Sequence, residues 1–499
     1  MKLGRLVSAA SLAERVKVVG DAGVEIASLA YDSRKAGPGT LFFCVVGEKR
    51  DGHGFAARVV EAGAAALVVE RELEVAVPQV VVPSARAAMA PFAAAFWDDP
   101  TATLKVVGVT GTNGKTTTAY LIREILEAAG VQAGLMGTVK QVVGGEEEPV
   151  ERTTPEGIEL QETFRRMIAG GDEACAMEVS SHAMALHRAD AIHYDVAVFT
   201  NLTQDHLDFH ADMEDYFAAK RLLFEAEPGV RIVNVDDPYG RRLAEEFDCL
   251  TFSAEGAAAD YRATDVEFDA TGATFTVLMG RKLDTEASFR PINTGVRVRT
   301  GMPGHFNVAN ALGAFAVAHA LGVDAETAAA GLAGAAGVPG RFEPIDEGQS
   351  FAVLVDYAHT PDSMENVLRA ARRLTPGKLI SVFGAGGDRD KAKRPLMGRA
   401  GGVLSDLAVV TSDNPRSEDP EAIVAEVAAG AREGDAELVV EVDRQAAIAL
   451  ALGRAEPGDT VVIAGKGHEQ GQEFEGGRKI PFDDRKVARE ELRKLGSPA

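Results

Sequence analysis

Short apolar runs and alanine-rich stretches alternate along the whole chain. In the first hundred residues TLFFCVV, AALVV and QVVV read as strands between helical segments, and the polar, proline-containing link WDDPTATLK closes that part. A second part opens at Lys105 with a strand, a glycine-rich turn and a helical pattern. It continues through the apolar runs ACAMEV, VAVFT and RIVNV to a long helix, FNVANALGAFAVAHALG. The stretch from Gly331 to Gly340 reads as the next boundary. Beyond it, FAVLV, KLISVF, LAVVT, ELVVEV and TVVIA are each followed by a polar loop and a helical stretch, which predicts a mostly parallel sheet with right-handed crossovers. The expected fold is α/β in three domains: a smaller α/β domain over 1–102, a central domain with a phosphate-loop-type, mostly parallel sheet over 103–338, and a Rossmann-like domain over 339–499.

Composition narrows the setting. At 499 residues and roughly 150 residues per domain, three domains can each bury a core. Hydrophobic residues form 46% of the chain and are spread along it, so disorder is not expected. A formal charge of −23 repels polyanions and argues against nucleic-acid and anionic-membrane partners. Phosphate would have to be held by local cations, backbone N–H groups or metal. Cys44, Cys175 and Cys249 are odd in number, far apart and without CxxC spacing, which favours reduced thiols. Glu14 interrupts any signal-like core at the start of the chain, and no apolar run reaches about 18 residues. A soluble, cytoplasmic protein is expected.

VVGVTGTNGKTTT carries the strongest chemical signal. Five residues separate Gly108 from Gly114, one more than in the common phosphate loop. The glycines let N–H groups approach phosphate oxygens, the following helix presents its positive end, Lys115 reaches terminal phosphates and Thr116 can ligate Mg2+. Gly111, Thr112, Asn113, Gly114, Lys115, Thr116 and Thr117 are thus the candidate triphosphate contacts. Glu178 ends the apolar run ACAMEV, where an acid has no packing role, and His206 lies in NLTQDHLDFH after another strand. Together with Thr116 they supply oxygen and imidazole ligands suited to one or two Mg2+ ions beside a triphosphate.

GTNGKTT, EVSSHA, NLTQDHLDFH, the AAKRLLF segment, HFNVANAL, GRFE and VDYAHTPD, taken in order, resemble the successive signatures of the Mur ligase family, which makes peptidoglycan precursors. The resemblance covers nearly the whole chain and includes the longer loop count. It implies an enzyme that uses ATP to form an acyl phosphate on a peptide carboxylate, which an amine then attacks to form an amide. DSRKAGPGTLFFCVVGEKRDGHGF resembles the uridine-nucleotide-binding domain of family members that extend the muramyl dipeptide. SDNPR, with GGDRDKAKRP and GKGHE, is similar to members that add meso-diaminopimelate. The implied substrates are ATP, UDP-N-acetylmuramoyl-L-Ala-D-Glu and meso-2,6-diaminopimelate, with a monomer expected.

By the same resemblance, Ser33, Glu48, Lys49 and Arg50 contact the uridine nucleotide, and Thr153, Thr154, Ser180 and Arg188 hold the muramyl dipeptide. Asn310, Arg341, Asp356 and His359 join the phosphate loop around ATP. Arg389, Asp413, Asn414, Pro415, Arg416, Gly465 and Glu469 hold diaminopimelate. Lys220, in AAKRLLF, is implied to be N-carboxylated from CO2, turning a cation into an anionic metal ligand beside Thr116, Glu178 and His206; Lys115, Lys220, His206 and Glu178 form the implied catalytic set. Leu186 departs from relatives that place a glutamine there.

Residue chemistry agrees on the amino-acid side. Diaminopimelate has two zwitterionic ends, so its site needs cationic forks for carboxylate and acids for ammonium, and the DNPR loop with Arg389 and Glu469 offers both. An L-lysine-adding form is the near alternative and folylpolyglutamate synthetase a remoter one; the latter lacks the N-terminal uridine-type domain and the DNPR loop. A nucleotide-driven switch would need only GTNGKTT.

Overall fold

The computed structural model describes residues 1–10, 12, 16–47, 50–150, 152–269, 272–282, 289–291 and 295–496. Two compact units emerge. The first comprises Met1–Thr110, Val131–Ala197 and Ala219–Val230; the second comprises Gly111–Gly130, Val198–Ala218 and Arg231–Ala499.

The first unit begins with a five-stranded sheet in the order Lys17–Val19, Gln79–Val81, Ala66–Val69, Thr40–Phe43, Ser28–Ala30. Only Lys17–Val19 runs antiparallel to its neighbour. Side chains alternate across a strand, and here both faces are covered, which explains why LFF of TLFF and all of ALVV are apolar at successive steps. Leu41 and Phe43 join a core with Leu3, Leu6 and Phe92, whereas Phe42 and Cys44 join another with Val59 and Leu67. In the same unit Ala174–Glu178 lies between Lys105–Thr110 and Ala133–Met136, all parallel. Register sets Glu178 opposite Val109, so the acid sits at the end of a buried strand. Gly144 and Gly145, both at positive φ, turn a hairpin from Gln141–Val143 to Glu146–Glu148.

The second unit holds the helices Lys115–Ala128 and His305–Ala320 packed side by side, then the strands Leu250–Ser253, Tyr261–Asp269, Gly272–Lys282 and Val296–Thr300. The last two run antiparallel to their neighbours, and the sequence reading has no counterpart for them. Their signal is masked by charge: VRVRT buries Val296, Val298 and Thr300 while Arg297 and Arg299 face solvent, so no continuous apolar run forms.

From residue 343 the second unit forms a six-stranded sheet, ordered Glu343–Pro344, Ala352–Asp356, Thr460–Ala464, Leu379–Phe383, Leu407–Val410, Glu437–Val440. All pairings except the first are parallel, as the β/α alternation predicts. Leu354, Phe383, Val410 and Val462 face one core; Val353, Val382, Val409 and Val461 face the other. The chain leaves space beside Ala352–Asp356 and fills it last with Thr460–Ala464. The loops 384–392, 411–416 and 465–469 therefore all emerge at carboxyl ends of this sheet, the usual place for ligands in an open α/β fold.

Candidate functional site

The phosphate-loop candidates are pinned by their surroundings in the second unit. Gly111 has φ of 148°, and a Cβ there would lie 1.9 Å from Thr200 Oγ1; Gly114, at φ 85°, leaves room only for Asn310 Oδ1. Both positions therefore require glycine. The Thr200 hydroxyl donates to the Asn113 carbonyl at 2.6 Å, and the Asn113 N–H donates to Asn201 Oδ1 at 2.9 Å. Thr112 donates to the Thr203 carbonyl at 3.1 Å. Lys115 donates to the carbonyls of Gly111 and Thr112 at 2.9 and 2.8 Å, folded over its own loop. The loop is thus a preformed cradle at the N-terminus of a 14-residue helix, a combination that suits a triphosphate.

Residues distant in sequence close on this cradle within the same unit. Arg341 donates to the Thr116 hydroxyl at 3.0 Å and stacks over Tyr357 at 4.4 Å. Asn113 donates through its side chain to Asp362 at 2.9 Å, a partner the sequence reading did not single out. Asp356 accepts the N–H groups of Phe342 and Ala358, each at 2.7 Å. Burial nevertheless dominates, raising its pKa to about 6 against the pull of Arg341. His206 has positive φ, and its ring lies 3.5 Å from Asp205, whose other neighbour at 3.9 Å is His359. Burial works against charge on Asp205, but His206, His359 and Lys393 outweigh it and hold the carboxyl below its ordinary range.

Farther along the same unit, the DNPR and GKGHE loops meet. Asn414 donates to Glu469 at 2.8 Å, Arg416 Nε donates to Glu473 at 3.2 Å, and Arg416 Nη1 donates to the Gly387 carbonyl at 2.7 Å. Gly465, at φ 119°, lets the chain pass Asp413, whose Oδ2 would stand 2.5 Å from an added Cβ. Pro415 lies within this loop, and Arg389 pairs with Asp208 at 3.6 Å. Neither Lys466 nor Glu473 was singled out from sequence. Lys466 sits inside GKGHE, which was, but a lysine between glycines carries no local sign of burial.

The first unit holds a separate group. Glu178 is buried, and Thr138 donates to its two oxygens, by N–H at 2.7 Å and by hydroxyl at 3.0 Å. Thr154 donates to the Glu178 carbonyl at 2.9 Å and accepts the Ser180 N–H at 3.1 Å; Thr153 and Thr138 share a bond of 3.0 Å. Ser180 also caps the helix Ser181–Ala185, which ends at Leu186. Arg188, Arg152 and Arg86 converge on the buried carboxylate of Glu156 at 2.9, 3.0 and 3.2 Å. Burial lowers the pKa of Arg188, and Arg152 and Arg86 add to that against the pull of Glu156. Of the four residues, only Arg188 was expected from sequence. Lys220 belongs to this unit and is 1% exposed on the helix Met213–Glu225. Ser33 is half-buried and Arg50 exposed, while Glu48 and Lys49 lie outside the described residues.

Among the described residues, no group of three or more His, Cys, Asp and Glu is arranged to hold an ion. Thr116 and Glu178, however, are a buried hydroxyl and a carboxylate held as an acceptor by two donors, the oxygen chemistry Mg2+ takes when phosphates and water complete its shell. Each of these oxygens, taken within its own unit, is a donor of the kind Mg2+ accepts. Among the described residues no helix is long and apolar enough to cross a membrane.

A phosphate cradle in one part of the chain and a pocket of paired acids and arginines at the carboxyl ends of a parallel sheet define an α/β enzyme that handles phosphate together with a small charged molecule. Comparison with known proteins refines that class. Residues 25–97 match the Mur ligase family catalytic domain, 109–318 the Mur ligase middle domain, and 340–467 the Mur ligase glutamate ligase domain. A protein of Streptomyces coelicolor named UDP-N-acetylmuramoyl-L-alanyl-D-glutamate–2,6-diaminopimelate ligase is 47% identical, over 98% of this chain and 97% of its own. Its namesake from Geobacillus thermodenitrificans is 46% identical over 93% and 94%. A solved structure of a ligase with the same name superposes with a TM-score of 0.67 at 31% identity, covering 95% of this chain and 96% of that one. The chain belongs to the Mur ligase family, and its three-domain α/β fold with a large, mostly parallel central sheet is the one expected from the sequence.

Proposed function

We propose that this protein is an ATP-dependent ligase that adds meso-2,6-diaminopimelate to the D-Glu γ-carboxylate of UDP-N-acetylmuramoyl-L-Ala-D-Glu, with domains over 1–102 for the uridine nucleotide, 103–338 for ATP and 339–499 for the amino acid. The observation that carries the amino-acid assignment is the pairing of Asn414 with Glu469 and of Arg416 with Glu473, which brings a guanidinium and carboxylates together for a zwitterionic end.

In this reading the N–H groups from Gly111 to Thr117, with Lys115, hold the triphosphate, while Asn310, Arg341, Asp356 and His359 surround the nucleoside. Ser33, Glu48, Lys49 and Arg50 bind the uridine nucleotide, and Thr153, Thr154, Ser180 and Arg188 hold the dipeptide. A carboxylate oxygen of D-Glu takes the γ-phosphoryl group as ADP leaves. The neutral amine of diaminopimelate then attacks the carbonyl carbon; phosphate departs with the bonding pair, and the amine's proton is lost. Lys115 opposes the charge spread over the transferring group, and Thr116, Glu178, His206 and a carboxylated Lys220 are the candidate metal ligands. Bound Mg2+ supplies further charge neutralisation there. Arg389, Asp413, Asn414, Pro415, Arg416, Gly465 and Glu469 orient the amine. The protein acts as a cytoplasmic monomer.

Phosphate release measured with ATP and the UDP-muramyl dipeptide, adding meso-diaminopimelate, L-lysine or neither, tests the reading. Release that depends on the dipeptide and prefers diaminopimelate supports it. Preference for L-lysine, or hydrolysis indifferent to both, overturns it.

A further inference from the structure

The amino-acid pocket is assembled around a lysine that ligand cannot reach. Lys466 is 0% exposed, yet its ammonium donates to Asn414 Oδ1 at 2.8 Å and to Glu469 Oε2 at 2.9 Å, and lies 3.8 Å from Asp413 Oδ1. Asn414 donates its own amide to the same Glu469 oxygen at 2.8 Å, and its Oδ1 also accepts the Glu473 N–H at 3.0 Å. The Glu473 carboxylate in turn accepts from Arg416. One buried cation is therefore bonded to side chains of two loops and linked through a third residue to the guanidinium.

A second buried cation fixes the strands behind those loops. Arg444 is paired with Asp484, both fully buried, through bonds of 2.8 and 2.7 Å. It also donates to the carbonyls of Ala464 at 2.9 Å and Ser412 at 3.4 Å, the residues from which the two loops depart. Burial pushes the Asp413 carboxyl up, but Lys466 and then Arg444 outweigh it and keep it below its ordinary range. Without the ammonium, Asp413 and Glu469 would face each other as like charges in a poorly solvated space, and Glu469, whose side chain is 30% exposed, would have solvent to turn to.

We infer that Lys466 is a positioning residue for the amine-bearing substrate: its buried ammonium ties Asp413, Asn414 and Glu469 into one arrangement and, through Asn414 and Glu473, sets the place of Arg416. This rests on the reading of the two loops as the amino-acid site. Being fully buried, Lys466 touches no substrate, so it acts on amino-acid binding and leaves the phosphoryl-transfer side alone.

Lys466→Met keeps length and removes charge. With the other substrates saturating, it should raise KM for meso-diaminopimelate about tenfold or more, while KM for ATP and for the UDP-muramyl dipeptide stays within about twofold. Because Lys466 acts through Glu469, the same change made on a Glu469→Gln background should add little further loss. A merely structural role would move all three KM values and be additive with Glu469→Gln. Should Lys466→Met fail to fold, Lys466→Arg keeps the charge but replaces the compact ammonium with a planar fork, and the same split among the three KM values is expected. Wild-type turnover with diaminopimelate, combined with an unchanged KM or an equal rise in all three, overturns this inference alone. A wild-type enzyme indifferent to diaminopimelate overturns the functional reading, and this inference with it.

Discussion

Arg341 reaches Thr116: its guanidinium donates to the hydroxyl oxygen at 3.0 Å, from a position 225 residues farther along the chain. The bond joins the GRFE segment to the first turn of the phosphate-loop helix, and Tyr357 supports the guanidinium from below. Arg341 is thereby held at the cradle before nucleotide arrives. Since a bond to a charged group is worth roughly 1.5 to 3 kcal/mol, Arg341→Ala should lower kcat/KM for ATP by about ten- to a hundredfold. Kinetics with varied ATP would measure it, and an unchanged value would remove Arg341 from the nucleotide's surroundings.

Lys115 bonds two carbonyls of its own loop and so clasps the cradle, and in the proposed function it also meets the phosphates. Lys115→Ala should nearly abolish ligation yet leave binding of the UDP-muramyl dipeptide, read by calorimetry, within about twofold, because uridine recognition is assigned to other residues. Turnover near the wild-type rate would reject this loop as the ATP site.

Lys220 is almost wholly buried, and the proposed function makes it a carbamate that ligates metal. Lys220→Ala is expected to be inactive and to recover part of its activity when a small carboxylate is supplied at high concentration. Full activity in rigorously CO2-depleted wild-type enzyme would sink the carbamate.

How far the sequence reached depended on the kind of signal. Strands such as ACAME and TVVIA are buried at every position and apolar at all but one, because both faces are covered, so they could be read directly. GTNGKTT was legible because its glycines and the Lys-Thr pair form a compact motif, although the neighbours that crowd Gly111 and Gly114, Thr200 and Asn310, come from far along the chain. Lys466 was not legible: from sequence a lysine between glycines looks solvated, and only the fold buries it against Asn414 and Glu469. Glu156 was missed for the same reason, since its three arginines come from positions 86, 152 and 188. Pairings set by tertiary closure leave no local pattern.

Asp356 makes a pH-dependent prediction. Its pKa rises from 3.8 to about 6 on folding, with burial as the main cause. The folded state thus binds the proton more tightly than the unfolded chain. The resulting stabilisation is fully present below about pH 4 and is lost as pH climbs through about 6. Two pKa units are worth about 3 kcal/mol. The stability of wild type relative to Asp356→Asn should therefore fall by about that amount between pH 4 and pH 7, as read from paired denaturation curves. A pH-independent difference would mean that Asp356 titrates like an exposed acid.

In the proposed function Arg416 decides between amino acids. Diaminopimelate and lysine share the end that reacts, but at the far end lysine has only an ammonium where diaminopimelate adds a carboxylate. Arg416 is the best-placed reader of that group: its backbone is at φ 52°, fixed by the bond from its N–H to the Glu473 carbonyl, and its side chain is steadied by Glu473 and Gly387. A guanidinium can meet carboxylate with two parallel bonds. At roughly 1.5 to 3 kcal/mol for a charged bond, Arg416→Ala should weaken diaminopimelate use by about ten- to a few-hundredfold. Lysine use should change far less. Part of the loss will come from Glu473, which is left without its cation, so Arg416→Ala/Glu473→Gln should recover some stability but none of the selectivity. Arg416→Lys should fall short of full activity, because a point charge cannot reproduce the planar fork. If Arg416→Ala left the preference for diaminopimelate intact, Arg389 would become the carboxylate reader, and its pairing with Asp208 would be the contact that substrate must displace.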